Sequence, residues 1–204
     1  MRSAPSLTIL GLLLPTALLA ACGDDGGGLD DPEVITTVSL AFAPMGGGAA
    51  LVAEFDDPDG DGGAAPTVDP IGLTAGTTYA LTVGFQNRLE APPEEITDEV
   101  RDEGDDHQIF LTGTAISGPA ANNPAAPLTH TYADLDGNGL PIGLTNTIVA
   151  ARGTGQLTLT LRHMPPVNGA AVKTASAAAD VAARGFAALG GSTDVQVDFA
   201  VTVP

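Results

Sequence analysis

The chain has 204 residues and carries 7 Lys and Arg against 25 Asp and Glu, a formal charge of −18. That length allows one ordinary domain plus a targeting segment, and a surface so acidic repels phosphate backbones, which excludes nucleic acid as a partner. Gly (26) and Pro (16) together supply about a fifth of the residues, a turn-rich composition below the level of general disorder.

The chain opens on a short segment holding Arg2 and then an apolar stretch, Leu7 to Ala21, interrupted by Pro15. Such a stretch is too short to span a bilayer as a helix, which takes about 20 residues. Leu19-Ala20-Ala21-Cys22 has the form of a bacterial lipobox. Residues 1–21 therefore read as a lipoprotein signal peptide, with cleavage before Cys22 and a diacylglycerol and palmitate-type acyl chains on the mature protein. An ordinary signal peptide or a buried N-terminal helix is the alternative, but the single cysteine of the chain falls at the position that lipidation needs. Acyl chains hold a protein to a membrane through hydrocarbon burial worth about 0.8 kcal/mol per methylene. With no second thiol, no disulfide forms within the chain, and the fold rests on its core. Residues 22–32, Gly- and Asp-rich, read as a flexible tether. Gly23 in place of Asp after the cysteine lacks an inner-membrane retention signal, and the expected location is the outer membrane of a bacterial envelope, periplasmic or cell-surface face left open.

From residue 33 onward apolar and polar residues alternate between Gly/Pro/Asp/Asn clusters, the pattern of half-buried strands. Val34, Thr36, Val38, Leu40 and Phe42 share one face, as do Tyr79, Leu81, Val83 and Phe85, then Leu157, Leu159 and Leu161, and finally Val195, Val197, Phe199, Val201 and Val203. Weaker strand patterns cover 51–55, 108–114, 128–132 and 145–151. Residues 33–204 are thus expected to form a single all-β domain, an antiparallel immunoglobulin-like sandwich of about eight strands with no βαβ rhythm. Two segments break the alternation. Residues 92–104, acidic, with Ile96 and Val100 four apart and Gly104 as a stop, predict a short helix. The Ala-rich stretch 170–191 predicts a helical insertion ended by Gly190 and Gly191.

Three constellations could carry chemistry. Asp57, Asp59 and Asp61 alternate before Gly62, the opening of a calcium loop in which side-chain oxygens face one centre; the twelfth position, where a complete loop has Glu, is Val68. Asp134, Asp136 and Asn138 before Gly139 repeat the pattern, with Thr145 at the twelfth position. Both segments lie between strands, where Asp, Asn and Gly also make simple turns. His107, which follows an acidic run from Glu94 to Asp106, and His163, at the end of the Leu157–Leu161 face, could form a rim site with carboxylates for zinc or a similar borderline ion. No short His spacing marks such a site, and a His at a strand end also serves as a packing residue. For catalysis there is no G-x-S-x-G, Gly153-Thr154-Gly155 lacks the third Gly of a dinucleotide loop, and Trp is absent, leaving no evident platform for sugar stacking.

The lipobox, the EVITTVSL strand, FDDPDGDGG, EEITDEV followed by DDHQ, the YADLDGNGLPIGL turn, LTLRHMP and the closing GSTDVQVDF strand together resemble an uncharacterised family of bacterial envelope lipoproteins. The likeness spans about 22–204, apart from the longer Ala-rich stretch. It implies an envelope lipoprotein associated with uptake and supplies no catalytic residues. Some members carry a label of type 1 periplasmic-binding proteins, which implies a doubly wound α/β fold at odds with the strand pattern here. The functional expectation is a non-enzymatic acidic module that binds cations, calcium first, or an envelope partner such as an uptake receptor. The alternative is a structural or adhesion module whose loops calcium makes rigid.

Overall fold

The computed structural model describes Met1, residues 33–60 and residues 62–204; the signal peptide beyond Met1, Cys22, the 22–32 tether and Asp61 lie outside the described residues. Pro32–Pro204 is one compact unit. Its elements in chain order are β1 (Thr37–Pro44), β2 (Leu51–Asp56), β3 (Thr67–Val68), β4 (Ile71–Gly72), β5 (Thr78–Asn87), β6 (Glu94–Glu95), α1 (Ile96–Asp102), β7 (His107–Thr112), β8 (Ile116–Ser117), β9 (Leu128–Tyr132), β10 (Thr145–Ala150), β11 (Gly153–His163), α2 (Ala177–Arg184), a 3-10 turn (Phe186–Ala188) and β12 (Ser192–Val203).

The strands form two sheets, one ordered β3-β2-β1-β5-β10-β9-β8 with β6 also on β5, the other ordered β4-β12-β11-β7. Alternation explains the layering, because successive side chains of a strand point to opposite faces. Val38, Leu40 and Phe42 of β1, the 79–85 set of β5, Leu157, Leu159 and Leu161 of β11 and Val197, Phe199, Val201 and Val203 of β12 all enter one buried core shared by both sheets. Each large apolar side chain enclosed there contributes about 1.5–3 kcal/mol against exposure.

The eight longer strands are those that the alternation marks. The sequence expectation misses β3, β4, β6 and β8, each of two residues, too short to carry a period. It also misses that β4 on β12 and β8 on β9 pair in parallel. Val34 is 53 % exposed and lies before β1, so the buried face of that strand starts later than expected.

Helix α1 sits within the expected segment: Glu95 caps it by accepting from the Thr97 N–H, and Ile96 and Val100 are its buried residues. Helix α2 ends at Gly185, whose φ of 74° lies in the left-handed region, not at Gly190–Gly191 as expected. The Ala-rich insertion packs Ala177 and Val181 with Phe110 and Met164 in a second, smaller core, with Phe186 edge-on to Phe110 at a centroid distance of 5.5 Å. Among the described residues no helix is long and apolar enough to cross a membrane.

Candidate metal centre

Three adjacent strand ends build one rim of the four-stranded sheet. His107 is the first residue of β7, His163 the last of β11, and the two are direct partners in the ladder. Their rings stack with centroids 4.6 Å apart and planes 8° from parallel, and both are buried. On the other side of β11, Leu161 pairs with Val195 and Arg162 with Thr193. Asp194 is therefore the extra residue of a β-bulge, a device that re-aims a side chain. Unbroken alternation would turn Asp194 outward with Gln196 and Asp198; instead its side chain is fully enclosed, with Oδ2 3.9 Å from His107 Nε2. Gly191 makes this junction possible. Its φ is 77°, and a Cβ there would stand 2.0 Å from the His163 carbonyl oxygen.

Glu103, which follows α1, joins the two histidines: one ligand atom from each of Glu103, His107 and His163 lies within 4.8 Å of the others, while Asp194 approaches His107 alone, at Nε2. The two nitrogens of His107 differ. Nδ1 lies 3.2 Å from the Glu103 carbonyl oxygen, so it carries the proton and donates. Nε2 then presents a lone pair toward Asp194. A second nitrogen held on a backbone carbonyl is the usual support of a metal-bound histidine. Among the described residues His107 Nε2 and both Asp194 oxygens have no hydrogen-bond partner. Ligand bonds of about 2.0–2.2 Å span the observed 3.9 Å at an angle of roughly 125–155°. Closing the pair by about half an ångström reaches tetrahedral geometry.

The electrostatics favour a cation in this place. Burial lowers the pKa of His107 to about 4, with the Glu103 carbonyl opposing and His163 and Lys173 adding to the fall, so the ring is neutral and its lone pair available. Burial pushes the Asp194 carboxyl up to about 6, with His163 and Arg162 pulling it back. Arg162 does not close on Asp194. Its guanidinium donates to the Gly190 and Gly191 carbonyl oxygens and to Thr193 Oγ1 at 2.7–2.8 Å. Enclosing a charged group without a partner is costly, and a divalent ion bound here would supply an opposite charge.

The other expected site residues fare differently. Asp59 Oδ2 accepts from the Ala64 N–H at 3.0 Å, a local turn bond, and Asp57 Oδ1 is buried without a partner among the described residues. In the second loop both Asp134 oxygens accept backbone N–H groups, from Gly143 and Thr145. Asp136 accepts from Asn138 and Leu140 N–H through Oδ1 and from Lys173 Nζ at 2.6 Å through Oδ2. The Asn138 side chain gives no such bond, and the residue is exposed. In the expected calcium loop the Asp136 carboxylate is paired with a cation of the chain itself: Lys173, buried, also donates to the Gly104 carbonyl oxygen. Burial works to raise the Asp136 pKa, but the bonds from Lys173 and the backbone outweigh it and hold the carboxyl below its usual range.

His107 and His163 come together as the rim reading requires. Asp194 and Lys173 escaped that reading; the lone lysine of an acidic chain was the available signal for the second, and nothing in the alternation marked the bulge for the first. No family model matches the chain, and neither a curated protein nor a solved structure matches it.

Proposed function

We propose that this chain is a lipid-anchored protein of the bacterial envelope, held through Cys22 in the outer membrane. Its β-sandwich, of immunoglobulin-like kind, serves as a non-enzymatic module that takes up a divalent transition cation at the His107–His163–Asp194 rim. The anchoring half of this proposal rests on the lipobox and on the resemblance to envelope lipoproteins, which also suggests an uptake receptor as partner. The binding half rests on one observation: a fully enclosed carboxylate without a hydrogen bond faces the free lone pair of a neutral buried histidine. Two imidazoles and carboxylates suit zinc and its borderline neighbours better than calcium. Glu103, beside Nδ1, is placed to orient His107 or to add an oxygen.

Isothermal titration of the purified, chelator-stripped protein with zinc chloride tests this. The expected result is one tightly bound ion, with affinity lowered at least tenfold in Asp194→Asn and in His163→Ala, as loss of a ligand does. Absence of binding, or binding unchanged in both variants, would overturn the proposal.

A further inference from the structure

Beside the histidine pair the rim opens into a cleft of about 470 Å3, whose lining includes Glu33, Asp57, Asp194, Thr36, Gly60 and Leu89. The three carboxylates arrive from separate parts of the chain: Glu33 from the segment that leads into β1, Asp57 from the turn after β2, and Asp194 from the bulge of β12. Chain folding has gathered them where no lysine or arginine lines the wall. Arg88, in the turn after β5, is engaged with Glu54 and Asp56 at 3.2 and 3.0 Å, and Arg162 of β11 donates to the Gly190 and Gly191 carbonyl oxygens and to Thr193 Oγ1.

We propose that this cleft is a second cation subsite, selective for a hard ion of the calcium class, in which Asp57, Glu33 and Asp194 supply the carboxylate oxygens. The subsite rests on the reading of the histidine centre only through Asp194, which stands between the two. Two independent observations carry it. Both oxygens of the fully enclosed Asp194 side chain lack a hydrogen-bond donor among the described residues, and so does Oδ1 of Asp57, on a different loop. Enclosed carboxylate oxygens without donors call for a cation or a proton. Glu33 shares a hydrogen bond with Glu99, and burial, then repulsion from Glu99 and Glu103, pushes its carboxyl up to about 7. The donor set decides the ion: the residues that line the cleft include three carboxylates and no histidine, cysteine or methionine, which suits calcium, with water completing its six to eight oxygens. The subsite also regroups the aspartates of the 57–62 turn. Asp57 acts with Glu33 and Asp194 across the rim, while the Asp59 carboxylate serves the backbone of its own turn.

Calcium chloride titration of the purified protein in zinc-free buffer decides the matter, using wild type, Asp57→Asn, Glu33→Gln, Asp59→Asn and His163→Ala. The expected result is one calcium per chain, bound at least tenfold more weakly by Asp57→Asn and by Glu33→Gln, and with unchanged affinity by Asp59→Asn and His163→Ala. Asp59→Asn as damaging as Asp57→Asn would mean that the turn alone holds the ion. Loss of calcium in His163→Ala would mean one shared site. Either result, or a folded wild type that takes no calcium, overturns the proposal. A failed zinc titration with calcium binding intact would instead count against the histidine centre alone.

Discussion

A carboxylate enclosed without hydrogen bonds disfavours its own charged form, and at Asp194 this makes stability depend on pH in a direction opposite to that of a salt-bridged aspartate. Its pKa rises from 3.8 to about 6 on folding. Between those values the folded state holds a proton that the unfolded chain has released, so the contribution is present below pH 3.8 and is lost as pH rises through about 6. Glu33 acts in the same sense up to about pH 7. His107 acts oppositely: its pKa falls to about 4 from 6.5, so its contribution is present above 6.5 and is lost as pH falls through about 4. Replacing Asp194 by Asn removes the first of these and relieves a minor part of the second, since Asp194 is among the charges that raise Glu33. In chelator, urea denaturation should find Asp194→Asn more stable than wild type above pH 7 by on the order of 2 kcal/mol, the gap closing below pH 4. A variant equally or less stable at pH 8 would show that Asp194 has a partner the geometry does not reveal.

At the scale of elements, the strands that carry the core were legible because each repeats its apolar residues at period two over five or more positions. The two-residue strands were not, since they are set by what lies beside them. The bulge in β12 leaves no mark either: Thr193-Asp194-Val195 reads as ordinary alternation, and only the pairing of β11 with both flanks shows that Asp194 has been turned inward. The histidine rim was half legible, because strand-end positions were evident for His107 and His163 while their pairing depended on sheet order.

The Ala-rich insertion was recognised, but its tie to the domain was not. That tie is the buried Lys173–Asp136 pair, which spans 37 positions and could not be inferred from local spacing. Removing one partner of a buried pair leaves the other charge uncompensated. Asp136 retains its two backbone donors, so Lys173→Met is expected to cost about 3 kcal/mol, a fall of roughly 10 °C in Tm for a domain of this size. The double variant Asp136→Asn/Lys173→Met should recover part of the loss, since no charge remains buried alone. Thermal melting of the two checks this, and a Lys173→Met protein that melts with wild type would contradict it.

Over the described residues, four basic side chains are held by carboxylates. Arg101 and Arg184 pair within their own helices with Asp98 and Asp180, Arg88 serves the edge of β1–β2, and Lys173 serves the 132–144 turn. At the rim of β7, β11 and β12, Arg162 donates to carbonyl and hydroxyl oxygens rather than to a carboxylate, and the enclosed Asp194 oxygens have no hydrogen-bond partner among the described residues. The sequence reading set its first cation expectation on the Asp-rich loops, since local D-x-D spacing is visible in one dimension and a rim assembled from three strand ends is not. The most direct test of the rim is an anomalous difference map from a zinc-soaked crystal, recorded on both sides of the zinc absorption edge. A zinc peak about 2.1 Å from His107 Nε2 and from an Asp194 oxygen, with His163 in its coordination shell, is the predicted result. Zinc found only on exposed carboxylates, with the space between His107 and Asp194 empty, would contradict it.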